Sequence, residues 1–350
     1  MASNKLAYDG GKKDSLNDLV TIITPTINRP EFISRFLYYY SSIGFTGDIL
    51  IGDSSDENRR VEVLDAVKKY EKKVSVKYAH YPSSAYPHSG SCVKALNENI
   101  KTPYAIYCGD DDFLVPDGIA QCVDFLEKNK DFIAACGKRI VYQLDREGPS
   151  GKVVAMATRN SPDLTGETSL ERLNTYIVSG RSTQYSIFRS EAWVKMYKDA
   201  DAMPSRYLGE EFYPCCISLI SGKIEMLDVF LVLFQQNMKP IFNWNNTALF
   251  SLVNSPEWAP SVKKGNEVLI DTLLAHSAFN RDQASQFIVM ALWQHVLLIL
   301  NGQFNALSQG KALRSGLDLV EGKKILDEFM MDSNFLSILK PALKALAGLR

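Results

Sequence analysis

Short β-branched runs alternate with helically spaced apolar residues along the first third of the chain, and no other feature limits the fold as much. Leu19-Val20-Thr21-Ile22-Ile23 ends at Thr24-Pro25-Thr26. It is followed by Phe32, Ile33, Phe36, Leu37 and Tyr40 at helical spacing, with Pro30 suited to a first helical turn. Asp48-Ile49-Leu50-Ile51-Gly52-Asp53 gives a second strand, and residues 58–72 a charged surface helix. Residues 74–78 and 104–108 supply further strands, separated by a helix over 89–99. The alternation predicts an α/β fold, a mostly parallel sheet covered by helices on both faces. Ligands bind such sheets beyond the carboxyl ends of the strands, where Thr24, Asp53 and Asp110-Asp111-Asp112 all fall.

The acidic triplet, preceded by Gly109, leaves the apolar run Tyr104-Ala105-Ile106-Tyr107-Cys108. Three adjacent carboxylates repel one another unless a cation, a proton or several N–H donors offset their charge. Hard ions such as Mg²⁺ or Mn²⁺ take one or two carboxylates and leave other positions to substrate phosphates, so a metal site for a phosphate-bearing substrate is one reading. A solvated acidic turn, with Asp112 or Asp117 capping the next helix, is the other. The triplet alone does not choose between them.

A net formal charge of −1 argues against generic binding to nucleic acid or to an anionic bilayer. Residues 1–18, polar and Gly/Lys-rich, are expected to form a flexible leader, and the absence of the apolar core of a signal peptide argues against export. The six cysteines form no CxxC pair and sit mostly in apolar segments, which points to reduced thiols and a cytoplasmic protein. The longest apolar stretch, Phe287 to Leu300, is interrupted by Gln294 and His295 and is too short to span a bilayer, so it is expected to be a buried or partner-facing helix.

Beyond the triplet the pattern predicts a helix over 114–128, a buried strand over 132–136, and a Gly/Pro/Ser-rich loop or exposed hairpin over 145–165 that includes Val153-Val154-Ala155-Met156. A strand over 184–189 and a helix start at Ser190 come next. After Asn254 the pattern is helical and apolar. The expected organisation is a domain over 19–254 and a helical C-terminal region over 255–350.

The order of these motifs resembles the family 2 inverting glycosyltransferases with a GT-A fold. Ile23-Thr24-Pro25-Thr26-Ile27-Asn28-Arg29-Pro30 is similar to that family's opening, which cradles base and ribose. Ile51-Gly52-Asp53-Ser54-Ser55-Asp56 is similar to the motif whose Asp hydrogen-bonds the base, and Gly109-Asp110-Asp111-Asp112 resembles the DXD motif. The resemblance implies a nucleotide-diphosphate sugar donor, a UDP-sugar first, with Thr24, Pro25, Thr26, Arg29, Asp53 and Asp110 around the nucleotide. It implies a divalent metal, Mn²⁺ or Mg²⁺, on Asp111 with Asp112 as the alternative ligand. Leu208-Gly209-Glu210-Glu211-Phe212 fits the family's acidic pair at a helix start, which makes Glu211 the general base and Glu210 its neighbour. Two acids in a first helical turn are also simply stabilised by the helix dipole.

The departures from the pattern are specific. Gly109 stands where many relatives have Asp, and Leu96 stands where many have Arg, so Lys94 is the candidate to face the phosphates. The region Phe234-Gln235-Gln236-Asn237 lacks the His that relatives use near metal or phosphate. Of the remaining residues, His88 reads as a solvated turn residue, His295 as a satisfied core residue, Arg181 as a diphosphate contact or a surface cation, and Trp244 as the best acceptor platform. The expected partners are the donor and a glycan or lipid-linked acceptor, without nucleic acid. The C-terminal helices are candidates for an acceptor platform, a homodimer surface or a contact with the cytoplasmic face of a membrane. A non-catalytic nucleotide- or glycan-binding relative is the main rival. A sugar-phosphate nucleotidyltransferase is the lesser one, since such enzymes carry a Gly-rich basic loop where this chain has Thr24-Pro25-Thr26.

Overall fold

The computed structural model describes residues 16–160, 164–237, 249–310 and 317–348. Most of the expected leader, residues 1–15, and Trp244 lie outside the described residues. One sheet of nine strands organises the chain: β1 (Val20–Thr26), β2 (Asp48–Asp53), β3 (Ser75–His80), β4 (Tyr104–Tyr107), β5 (Phe113–Leu114), β6 (Phe132–Leu144), β7 (Val153–Arg159), β8 (Ile187–Arg189) and β9 (Lys223–Gln235). The strand order is β3-β2-β1-β4-β8-β6-β9-β5, with β7 paired to β6.

The first four strands are parallel neighbours, as the alternation predicts. Beyond β4 the sheet is mixed, because the short β8 runs antiparallel to both β4 and β6. That reversal turns β6 and β9, which are parallel to each other, back into the direction of β4. The carboxyl ends of β1, β2, β3, β4 and β9 therefore share one edge. Chain order reverses between β1 and β4, the switch point at which open α/β sheets form a crevice.

Alternate residues of the central strands feed two cores, as the period of a strand requires. Val20, Ile22, Ile49, Ile51 and Ile106 pack with helices Pro30–Ser42, Glu57–Tyr70 and Pro116–Lys128 on one face. Ile23, Leu50 and Ala105 pack with helices Ser89–Leu96, Ser169–Ser179, Ser190–Tyr197 and Tyr213–Ser221 on the other. The C-terminal helices divide between these cores. Trp258–His276 and Arg281–Ser308 join the second, whereas Ser333–Leu346 returns to the first.

The stretch expected to be a loop or an exposed hairpin does form a hairpin, in which residues 145–152 join β6 to the antiparallel β7, but Val153, Ala155 and Met156 of β7 are buried. Helix Leu319–Met331 covers it. A Cβ at Gly322 would come within 2.7 Å of the Ala155 methyl, so glycine lets this helix approach the strand closely.

Candidate active site

The crevice is a cleft of about 290 Å³. It runs across the strand order, from Tyr86, Ser83 and Ser54 after β3 and β2, past Thr26 and Arg29 after β1 and the triplet after β4, to Gln235 and Asn237 at the end of β9. The turn after β1 is held by Asn28, which adopts a left-handed φ of 55°. Asn tolerates that conformation better than most side chains. Its backbone N–H donates to Ser55 Oγ at 2.6 Å, and its side chain exchanges hydrogen bonds with Asp56. The exits of β1 and β2 are thereby tied together.

The three aspartates are met by the protein's own donors. Thr26 Oγ1 donates to Asp110 Oδ2 at 2.6 Å, and Arg29 Nη1 pairs with Asp110 Oδ1 at 2.6 Å. Arg29 also reaches Asp111 Oδ2 from both terminal nitrogens at 3.2 Å, with its guanidinium 3.6 Å from the Phe32 ring centre. Asn237 Nδ2 donates to Asp111 Oδ2 at 2.6 Å. Asp112 is fully enclosed, accepting from the Gln235 backbone N–H at 2.8 Å and from the Tyr185 hydroxyl. Burial pushes the carboxyls of Asp110 and Asp112 up; Arg29 opposes the rise at Asp110, while the neighbouring Asp111 charge adds to it at both. Asp111 is the most open of the three, with 21% of its side chain exposed against 5% for Asp110.

Gly109 accounts for one departure from the family pattern. A Cβ there would sit 2.8 Å from Asp111 Oδ1, 3.1 Å from Asp112 Oδ2 and 3.2 Å from the Tyr185 hydroxyl. Any side chain would occupy the space into which the carboxylates fold. The missing His has a counterpart as well, since the segment 235–237 does reach the triplet but brings a backbone N–H and an amide.

Other expected residues are placed differently. Pro25 lines the cleft, but Thr24 does not; it is buried within β1, and its hydroxyl has no hydrogen-bond partner. Asp53 lies beneath the surface with Oδ1 bonded to Ser55 N–H at 2.9 Å and Oδ2 to the Tyr78 hydroxyl at 2.8 Å. Asp53 is not among the residues that line the cleft. Lys94 pairs with Asp201 at 2.6 Å and does not line the cleft. The cleft cation that sequence reasoning missed is Arg206, paired with Glu210 at 2.8 Å. Its i,i+4 spacing to Glu210 was the signal available. Arg181 is exposed and outside the cleft. His88 is buried and caps helix Ser89–Leu96, not a solvated turn residue. Its Nδ1 accepts from Ser91 N–H, so Nε2 carries the hydrogen donated to the Met203 carbonyl at 2.9 Å. Burial lowers its pKa and favours this neutral form.

Glu210 and Glu211 lie in a π-helical turn, Leu208–Phe212, that runs into helix Tyr213–Ser221. Such turns insert an extra residue and re-aim side chains, often at functional sites. Glu210 is bound to the cleft cation Arg206, while Glu211 is half-buried in hydrogen-bond contact with Ser182 and faces Arg139. Arg139 in turn stacks over the ring of the cleft residue Tyr185 at 4.9 Å. Burial, with the charge of Glu210, pushes Glu211 up to about 7. Behind the turn, buried His295 hydrogen-bonds the Tyr207 hydroxyl and lies parallel to the Tyr207 and Tyr176 rings. His295 is thus the satisfied core residue the sequence suggests.

No protein-family model matches the chain, and no curated protein matches it in sequence. Solved structures with a similar outline include S. aureus TarS, 14% identical over 93% of this chain with a TM-score of 0.49. The chain spans half the length of that structure, 50% of it. A shorter TarS structure, residues 1–349 in complex with UDP, has 82% of its length covered at the same identity of 14% and a TM-score of 0.49. The mannosyltransferase PcManGT from Pyrobaculum calidifontis, solved with GDP-Man and Mn²⁺, is 10% identical over 94% of this chain and 86% of its own, with a TM-score of 0.44. At these identities and scores, function has to be read from the chain's own side chains.

Among the described residues no three His, Cys, Asp or Glu side chains converge as a metal cage. The donor set fits a cation held chiefly by its substrate. Asp111 lines the cleft with Oδ2 already bonded to Arg29 and Asn237, so it offers Oδ1, one ligand for a hard ion that phosphate oxygens and water would complete.

Proposed function

We propose that this chain is an inverting glycosyltransferase that moves a sugar from a nucleotide-diphosphate donor, a UDP-sugar in the first instance, to a hydroxyl of a glycan or lipid-linked acceptor. The observation that carries this reading is the meeting, at one sheet edge, of the Asp110–Asp112 triplet with Thr26, Arg29 and Arg206 around a single cleft. An acid poised near neutrality stands behind the cleft wall. The base lies toward Ser54, Ser83 and Tyr86, and the diphosphate toward Arg29 and Arg206. Asp110, held by Thr26 and Arg29, faces the ribose. Asp111 would hold a divalent ion, with Asp112 buried behind it, and that ion would offset charge on the leaving diphosphate.

In this reading Glu211, which lies outside the residues that line the cleft, takes the proton from an acceptor hydroxyl that approaches on the Ser182 and Arg139 side and attacks the anomeric carbon. A carboxylate with a pKa of about 7 is half ionised at neutral pH and is basic enough to accept that proton. Glu210 anchors Arg206 and raises the basicity of its neighbour.

Screening a panel of nucleotide sugars for released nucleotide tests the reaction. Asp111→Asn is expected to abolish metal-dependent donor binding, read by calorimetry with UDP and Mn²⁺. Glu211→Gln is expected to keep donor binding and remove turnover. Nucleotide binding without hydrolysis or transfer from any donor would instead identify a non-catalytic binding protein.

A further inference from the structure

Helix Arg281–Ser308 has one face packed in the core through Ala284, Ile288, Leu292, His295 and Val296. Its opposite face is also apolar, and it is open. Met290 is 71% exposed, Trp293 49%, Leu297 61%, Phe304 69% and Leu307 58%. With the partly buried Leu300 these positions are spaced 3-4-3-4-3 along the helix. That spacing keeps the exposed side chains in one stripe along the helix, a shape against which another helix can lie.

We propose that this seam pairs two copies of the chain about a two-fold axis. In such an interface both copies use the same patch, so a face free of charged side chains buries no ion that lacks a partner. From Gln283 to Gly310 the sequence contains no Asp, Glu, Lys or Arg, and the positions bordering the seam are the neutral amides Gln286, Gln294, Asn301 and Asn305. Val289 borders the stripe on the same helix. Together these exposed side chains leave on the order of 700 Å² open, taking ~200 Å² for a large side chain in full exposure. A standard interface takes about 800 Å² from each partner, and a monomer seldom leaves more than ~600 Å² of contiguous apolar surface open.

A bilayer fits the face less well. Helices that lie in the headgroup region carry Lys and Arg along their polar side, and this helix carries neither between residues 283 and 310. It is long and apolar enough to span a membrane by composition. Spanning would strip its inner face from the core and break the contact of His295 with Tyr207.

Light scattering on the full chain at about 100 µM, above the micromolar limit of interfaces this size, is expected to give twice the monomer mass. The double variant Trp293→Glu with Leu297→Glu is expected to halve that mass while its melting temperature stays near that of the wild type, because both side chains already face solvent. Leu297→Cys lies near the middle of the seam and is expected to form an intermolecular disulfide on mild oxidation. The native cysteines are all buried, which keeps the background low. A wild-type monomer at that concentration would overturn the proposal. So would a Leu297→Cys protein that does not cross-link, or sedimentation with phosphatidylcholine vesicles that the double variant abolishes while the mass stays that of a monomer. Because neither readout uses a donor or an acceptor, the result is separate from that of the activity screen.

Discussion

At Gly109 the room for the acidic cluster is set by the absence of a single methyl group. Gly109→Ala places a Cβ 2.8 Å from Asp111 Oδ1, so either the carboxylate or the backbone must move. The three atoms nearest that Cβ are all ends of side chains, so the change falls on the arrangement of the triplet more than on core packing. The expected outcome is a lowered melting temperature together with a loss of UDP affinity in calorimetry; unchanged affinity would show that the aspartates do not need this packing. Glu211 makes a second prediction at the same scale. Its folded pKa of about 7 lies above the ordinary carboxyl value of 4.5, so the folded state binds the proton more tightly than the unfolded chain does. Stability is therefore expected to fall as pH rises from 4.5 to 7 and to level off above it, by about 3 kcal/mol at most. Glu211→Gln is expected to flatten that slope and to melt higher than wild type at pH 8, with the difference vanishing near pH 4. Activity should run the opposite way, rising through pH 7 as the base ionises.

The element that brings these residues together is the π-turn of Leu208–Phe212, supported from both sides. Arg206 opens the helix one turn before Glu210 and reaches the cleft. Arg206→Ala is expected to raise KM for the donor more than it lowers kcat, in steady-state assays across donor concentrations, because it removes binding charge and leaves Glu211 in place. His295 supports the turn from behind, and its contribution is packing and one hydrogen bond to Tyr207. This layer was only partly legible in the sequence. The acidic pair could be read because its chain position follows the triplet in a familiar order. Lys94 was the wrong cation because its distance from the cleft depends on Asp201, over a hundred residues away, to which it is paired. Arg206 gave only the signal of its i,i+4 spacing to Glu210, which pairs the two on one helix face and does not point to the cleft. The strands of the first third showed themselves through uninterrupted β-branched runs, whereas β9 is broken by Glu225 and Asp228 and gave no comparable signal. Yet β9 delivers Gln235 and Asn237 to the triplet.

Across the whole molecule, the C-terminal helices complete both cores, so the compositional boundary near residue 254 does not separate two independently packed bodies. Helix Leu319–Met331 closes over β7, and Ser333–Leu346 returns to helix Pro30–Ser42, which begins just after Arg29. The last helix therefore braces the helix that Arg29 caps. Gly322 is where the helix before it comes closest to β7, with the position of a Cβ only 2.7 Å from Ala155 and 3.2 Å from the Met156 carbonyl. Gly322→Val would push the helix off the strand and wet Val153, Ala155 and Met156, all buried in the native fold. The loss is expected to be of the order of 2–4 kcal/mol, the range of strained or opened cores. Denaturant midpoints measure that loss, and hydrogen exchange localises it. Protection should fall first in β7 and the last two helices and next in Pro30–Ser42, with β4 and the triplet least affected. Protection lost evenly over all nine strands would mean that the two ends of the chain unfold as one unit and that the brace has no separate existence.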